Sequence, residues 1–377
     1  MKDFLKYTLA TITGIFLSSI LLFFLSTIFF FAILSSSDTE VVIKDNSILR
    51  LKLEGNLKDR VLTDDSFLSL LGKEQKEFGL EDILHAIKKA KEEDKIKGIF
   101  IDAGMLNTYY ASLWEIREAL TDFKESGKFI TSYADFYTQE LYYLSSVSDK
   151  VIVNPSGKVS WHGLSSNPRY YKNLLSKIGV EMQIFKVGTY KSAVEPYMSN
   201  EMSPENREQL TVLLGNTWKT LLTSVSEDRN ISVDSLNALA DEMLMLQPIE
   251  KILANNIVDT LPYKSDIDAL LNEQLGVDSD KKLNFIDVDA MAKVKENTPK
   301  DKSGNVIAVY YASGDIVDQD PGFSFQNANH IVGSKVIKDL KKIEKNKSIK
   351  AVVLRVNSPG GSAYASEQIW KAIQDLK

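Results

Sequence analysis

Tyr7 to Ser37 contains no charged residue, and its centre, Ile15–Leu34, is rich in Leu, Ile and Phe, interrupted only by Ser18, Ser19, Ser26 and Thr27. At about 1.5 Å of helical rise per residue, twenty residues reach roughly 30 Å, the depth of a bilayer's hydrocarbon layer. The pattern predicts one uncleaved transmembrane helix, with residues 1–37 forming a cytoplasmic tip and an anchor. A cleaved secretory signal would have a shorter apolar stretch, of about 7–15 residues, although Ser35-Ser36-Ser37 offers a cleavage site. Lys2 and Lys6 precede the span. They place the tip in the cytoplasm and the rest of the chain on the other side, which in a bacterium is the periplasmic face of the inner membrane.

Beyond the span the periods change. Leu49–Leu53 alternates apolar and polar positions up to Gly55, the pattern of a half-buried strand, and Val306–Tyr311 is a more apolar strand ending at Gly314. Leu80–Lys124 lies on Gly333–Lys377 without a gap, at a constant offset of 253 residues. Lys88-Lys89 falls on Lys341-Lys342, Ile96-Lys97 on Ile349-Lys350, Ile99 on Val352, Ile101 on Leu354 and Ile116 on Ile369. Each copy reads as amphipathic helix, apolar strand, turn and amphipathic helix, which points to a duplication.

The first copy continues in α/β alternation. Strands are expected at Phe129–Tyr133, Lys150–Val153 and Met182–Lys186, and helices at Gln139–Ser146 and Tyr170–Ile178. Pro204, just after Ser203, suits the first position of a long helix reaching about Ser226, and more helix follows over Ile231–Ala254. Ser265–Gly304 is polar and charged, with Pro299 near its end, and reads as a connection. The expected divisions are a first domain at 46–264, a linker at 265–304 and the start of a second domain at 305–377. A second copy as long as the first would run to about residue 515, so either the sequence is a fragment of a longer chain or its second domain is severely cut.

The 377 residues are 44% apolar and 25% charged, an ordinary globular balance that argues against disorder or a simple coiled coil. A formal charge of −6 gives no bulk reason to bind nucleic acid. The chain has no cysteine, which removes disulfides, thiolate nucleophiles and Cys-ligated metals. Its three histidines, His85, His162 and His330, are far apart in sequence, so no metal site is expected.

One segment has the makings of a nucleophile. Asn357-Ser358-Pro359-Gly360-Gly361-Ser362 lies between the apolar strand Ala351–Val356 and a helix at Ala363–Leu376. A serine held at such a turn faces backbone N–H groups and the positive end of a helix, which can stabilise an oxyanion. Gly360 and Gly361 allow close backbone approach. The plainer alternative is a glycine-rich turn with Ser362 as helix N-cap. The first copy has Gly104-Met105-Leu106-Asn107-Thr108-Tyr109 there, with Tyr109 at the serine position and no Gly-Gly pair.

A serine needs a base. No His–Asp pair is evident, since His330 lies in a polar loop and His85 on a helix. The other option is a lysine depressed by burial. Lowering it from about 10.4 to near 7 opposes roughly 4–5 kcal/mol of solvation preference. Lys191 is a candidate, because Gly188-Thr189-Tyr190-Lys191-Ser192-Ala193-Val194-Glu195-Pro196 offers it mostly neutral neighbours. Glu195 counts against it, since pairing would raise its pKa; most lysines are simply surface residues.

The 188–196 segment, together with Val-Asn-Ser-Pro-Gly-Gly-Ser at 356–362, resembles the signal peptide peptidase A family, in its long, duplicated, membrane-anchored form. The resemblance implies an α/β, Clp-protease/crotonase-like fold in duplicated domains behind one N-terminal transmembrane helix. It implies a serine/lysine dyad, with Ser362 as nucleophile and Lys191 as general base, and with Gly314, Gly361 and Ala363 as oxyanion or supporting positions. It also implies apolar peptide substrates such as released signal peptides, a homotetramer, lipid contact through the anchor only, and no cofactor. The family's further lysine-orienting serine falls beyond Lys377. Two other readings compete: a non-catalytic membrane-anchored scaffold or inactive fragment, and a crotonase-like acyl-CoA enzyme. The second fits poorly, because CoA esters are cytoplasmic.

Overall fold

The computed structural model describes residues 1–35, 42–61, 77–294, 303–320 and 330–377. Ser36 and Ser37 of the alternative cleavage site, and Pro299 of the expected linker, lie outside the described residues. The chain divides into two compact units. One holds residues 1–43 with 293–295; the other holds 44–292 and 296–377. The first is dominated by α1 (Lys2–Ser35), whose Lys2–Ile28 portion is long and apolar enough to cross a membrane.

The second unit is α/β, as the alternation predicts. Its main sheet is parallel and runs β2 (Glu77–Gly79), β1 (Ser47–Lys58), β3 (Ile96–Asn107), β4 (Phe129–Tyr137), β5 (Lys150–Val159). Ile48, Leu49, Leu51, Ile99 and Ile101 are buried in it. Helices cover the sheet because their apolar positions recur at three- and four-residue steps. In α2 (Leu80–Glu92) these are Leu80, Ile83, Ala86, Ile87 and Ala90; in α3 (Tyr110–Lys124), Leu113, Ile116, Leu120 and Phe123. Next come α4 (Gln139–Ser145), α5 (Lys172–Lys177), α6 (Glu195–Met198) and α7 (Pro204–Arg229). Ser203 caps α7 by accepting from the Asn206 N–H, as the Ser-Pro start leads one to expect. Arg117, buried at 6% side-chain exposure, ties α7 to α4 through Asp228, Ser146 and the Tyr143 carbonyl.

Two sequence expectations change. Met182–Lys186 is irregular chain with Met182 and Phe185 exposed; an apolar alternation makes a strand only where a neighbour supplies the ladder. The stretch at 265–304 is not plain linker. After α8 (Val233–Asp241) and α9 (Ile249–Ala254) it forms α10 (Ile267–Leu275), β6 (Asn284–Asp287) and α11 (Val288–Ala292). β6 pairs in parallel with β1, and Ile267, Leu271 and Leu283 join the core around Ile48 and Phe100. Its described charged residues are exposed, and Asp287 pairs with Arg50.

The repeat is written in the backbone. β7 (Val306–Ser313) pairs in parallel with β10 (Ile349–Asn357), and β8 (Asp315–Val317) with β9 (His330–Val332). α12 (Gly333–Lys345) and α13 (Ala363–Leu376) follow β9 and β10. The bounds of α2 and α12 differ by the same 253 residues read in the sequence. Lys58 pairs with Gly79 in the first copy, and Val317 pairs with Val332 in the second.

Candidate active site

The end of β10 is built by glycine. Gly360 has φ +118° and Gly361 has φ +149°. A Cβ on Gly361 would lie 2.1 Å from the Ile316 carbonyl oxygen, so no other residue fits without moving β8. The turn is stitched to β8 from both sides. Ile316 N–H donates to Gly360 O at 2.9 Å, and Ser362 N–H donates to Ile316 O at 2.8 Å.

This puts Ser362 at the N-cap of α13. Its Oγ accepts from Ala365 N–H at 3.1 Å and donates to Asp318 Oδ1 at 2.5 Å. The capping bond of the plainer alternative is therefore present, and so is a hydroxyl at the positive end of a helix. Ala363 is the first residue of α13, where backbone N–H groups have no partner within the helix. Gly314, with φ +100°, donates its N–H to Asn357 O at 2.9 Å, so here it ties β7 to β10.

The strand leading into the turn is gripped from the first copy. Arg355 donates to Asp59 Oδ1 through Nε at 3.0 Å and Nη2 at 2.8 Å. It also donates to both carboxylate oxygens of Glu115, at 2.8 and 3.0 Å. Its pKa is raised, first by the bonds to Glu115 and further by Asp59, against the cost of burial. Asn357 donates to Asp59 Oδ2 at 3.0 Å.

Lys191 lies in an exposed loop whose neighbours are braced by the first turns of α7. Gln209 Nε2 reaches Ser192 Oγ at 3.0 Å and Tyr190 O at 3.3 Å. Glu195 is buried but does not face Lys191. It accepts from the Ser203 hydroxyl, from Ser203 N–H and from Asn206 Nδ2 at 3.0 Å. Burial alone would raise its pKa; the bonds from Ser203 and Asn206 outweigh that and bring it below the ordinary value. The Glu195 carboxylate is thus taken up by Ser203 and Asn206.

Gly361, Ser362 and Ala363 thus lie together at the turn after β10, and Gly314, between β7 and β8, bonds Asn357 at its start. Lys191 is not among the hydrogen-bond partners of Ser362, which are Asp318, Ala365, Ile316 and Ser366. A lysine whose pKa is depressed by burial is Lys128. Its Nζ donates to the carbonyls of Ala90, Lys91 and Glu93 at 2.7–3.0 Å, so it closes the C-terminal end of α2 and has no role near Ser362. His85 and His162 are exposed. Asp59, Arg355, Asp318 and Gln209 were not singled out from sequence. For Asp59 and Asp318 a clue existed, since each is the residue directly after the strand that pairs with β2 or β9.

Residues 122–278, which include Lys191, match the model of peptidase family S49. Protease 4 of Haemophilus influenzae is 34% identical over 358 residues, covering 91% of this chain and 57% of that protein. Protease 4 of Salmonella typhi is 35% identical over 300 residues, covering 78% and 47%. The chloroplastic serine protease SPPA of Arabidopsis thaliana is 28% identical over 336 residues, covering 89% and 48%. The chain spans about half the length of the curated relatives it matches.

Proposed function

We propose, from the match of residues 122–278 to peptidase family S49 and the likeness to Protease 4, that the chain belongs to a membrane-anchored serine endopeptidase. Its substrates are released signal peptides and other apolar peptides. Ser362 Oγ attacks the peptide carbonyl while Lys191 Nζ takes its proton. The oxyanion is met by backbone N–H groups at Gly361 and Ala363, at the start of α13, with Gly314 supporting the turn. The proton passes from Lys191 to the leaving amine, and water then hydrolyses the acyl-enzyme.

The observation that carries the reading is the Ser362 hydroxyl at the helix start, on a turn that only glycine can make. Lys191 is exposed on the isolated chain. The dry surroundings that a neutral lysine requires must therefore come from neighbouring protein. A homotetramer would supply it, and the N-terminal helix would hold the assembly at the periplasmic face of a bacterial inner membrane.

The test is hydrolysis of an apolar peptide by the full-length protein. Ser362→Ala and Lys191→Ala are each expected to abolish turnover without unfolding the protein, Ser362→Ala at the cost of the α13 cap; near-normal rates in Lys191→Ala would remove the dyad. A non-catalytic scaffold is the second reading, and the Ser362 capping bond to Ala365 favours it. It requires no turnover even from the full-length protein.

A further inference from the structure

The Pro359-Gly360-Gly361 turn has little side-chain packing of its own, and glycine leaves its backbone freedom high. A nucleophile on such a turn needs to be held from outside. Two carboxylates do so, one at each end. Asp318 accepts the Ser362 hydroxyl at the exit, and Asp59 accepts the Asn357 amide at the entry, one residue before Ser358.

The two aspartates are the same position in the two copies. Lys58 pairs with Gly79 and is followed by Asp59; Val317 pairs with Val332 and is followed by Asp318. Gly79 and Val332 are related by the repeat offset. The duplication has thus delivered two equivalent carboxylates to one turn, one from its own copy and one from the other.

Charge balance alone does not account for Asp59. Arg355 already meets Glu115 through a two-bond fork. The Asn357 bond neutralises nothing, and it spends the second oxygen of a carboxylate that is only 6% exposed. We propose that Asp59 is a positioning residue for the nucleophile: with Arg355 and Asn357 it fixes the entry to the turn, so that the first copy sets where Ser362 stands. Asp59 acts through Asn357 and does not touch the reacting atoms. The proposal rests on Ser362 being the nucleophile.

The experiment is amide hydrogen exchange of the full-length protein over 357–362, with steady-state peptide hydrolysis alongside. In Asp59→Asn, exchange across 357–362 is expected to rise about tenfold, with 96–107 unchanged. The kcat is expected to fall about tenfold or more with KM held within about twofold, because a displaced nucleophile loses orientation and not substrate binding. Asp59→Glu, which keeps the carboxylate, recovers part of the rate. Asn357→Ala removes one bond, leaves the Arg355 fork intact, and is expected to loosen the turn without lowering the melting temperature. Unchanged exchange over 357–362 in both variants overturns the proposal. So does a rise spread evenly over β1 and β3, which would mean a merely structural ion pair. If the unaltered protein hydrolyses no peptide, the functional reading falls, and the exchange data still decide whether Asp59 holds the turn.

Discussion

Gln209 Nε2 lies 3.0 Å from Ser192 Oγ and 3.3 Å from the Tyr190 carbonyl, so one side chain of α7 holds both neighbours of Lys191. α7 is in turn locked to the core by Arg117 and Asp228. A loop that is exposed along most of its length is therefore fixed at the one place where a base would need a defined position.

Replacing Gln209 with Ala should leave the fold intact, because the residue is only half-buried. It should lower kcat by about tenfold through loss of orientation at Lys191. Steady-state kinetics beside a thermal melt checks this; a loss of melting temperature with unchanged kcat would contradict it.

Glu195 gives a pH dependence of known sign. Its pKa lies below the ordinary 4.5 in the folded chain, so it binds a proton less readily when folded than when unfolded. Its contribution to stability is fully present above pH 4.5 and is lost as pH falls through the lower folded value. Melting curves between about pH 6 and pH 3 should show this loss in the unaltered protein and less of it in Glu195→Gln.

Gly361→Ala should fail at the turn. Its Cβ would meet Ile316 O at 2.1 Å, at a φ that side chains rarely adopt. The local cost is about 1–3 kcal/mol from strain alone, before β8 shifts to relieve the clash. Activity should disappear while the first copy, followed by amide exchange over 96–137, remains folded.

Arg117→Met should destabilise the first copy by roughly 3 kcal/mol, since it strands Asp228 without its buried donor, while the Tyr143 carbonyl keeps the Ser146 hydroxyl. The second copy should be less affected, which exchange over α12 and α13 would show.

The parts of this architecture that repeat were legible in the sequence. α2 and α12 could be matched to each other, because two copies of one apolar period check each other. The Gly-Gly-Ser turn was legible too, because glycine, a preceding strand and a following helix are all local. What stayed hidden depends on partners far along the chain. The 265–292 region looks like linker by composition, yet β6 enters the sheet, because four residues suffice once Ser47–Arg50 offers a free edge. Met182–Lys186 has the strand pattern and lacks the edge. Asp59 and Arg355 are almost three hundred positions apart, and neither has a local pattern that announces the other.

The most direct measurement is covalent labelling of the full-length protein with a fluorophosphonate, read by peptide mass mapping with and without Lys191→Ala. One adduct is expected, on the peptide carrying Ser362, formed about 100-fold or more slowly when Lys191 is replaced. An adduct elsewhere, or labelling of Ser362 at the same rate without Lys191, would contradict it.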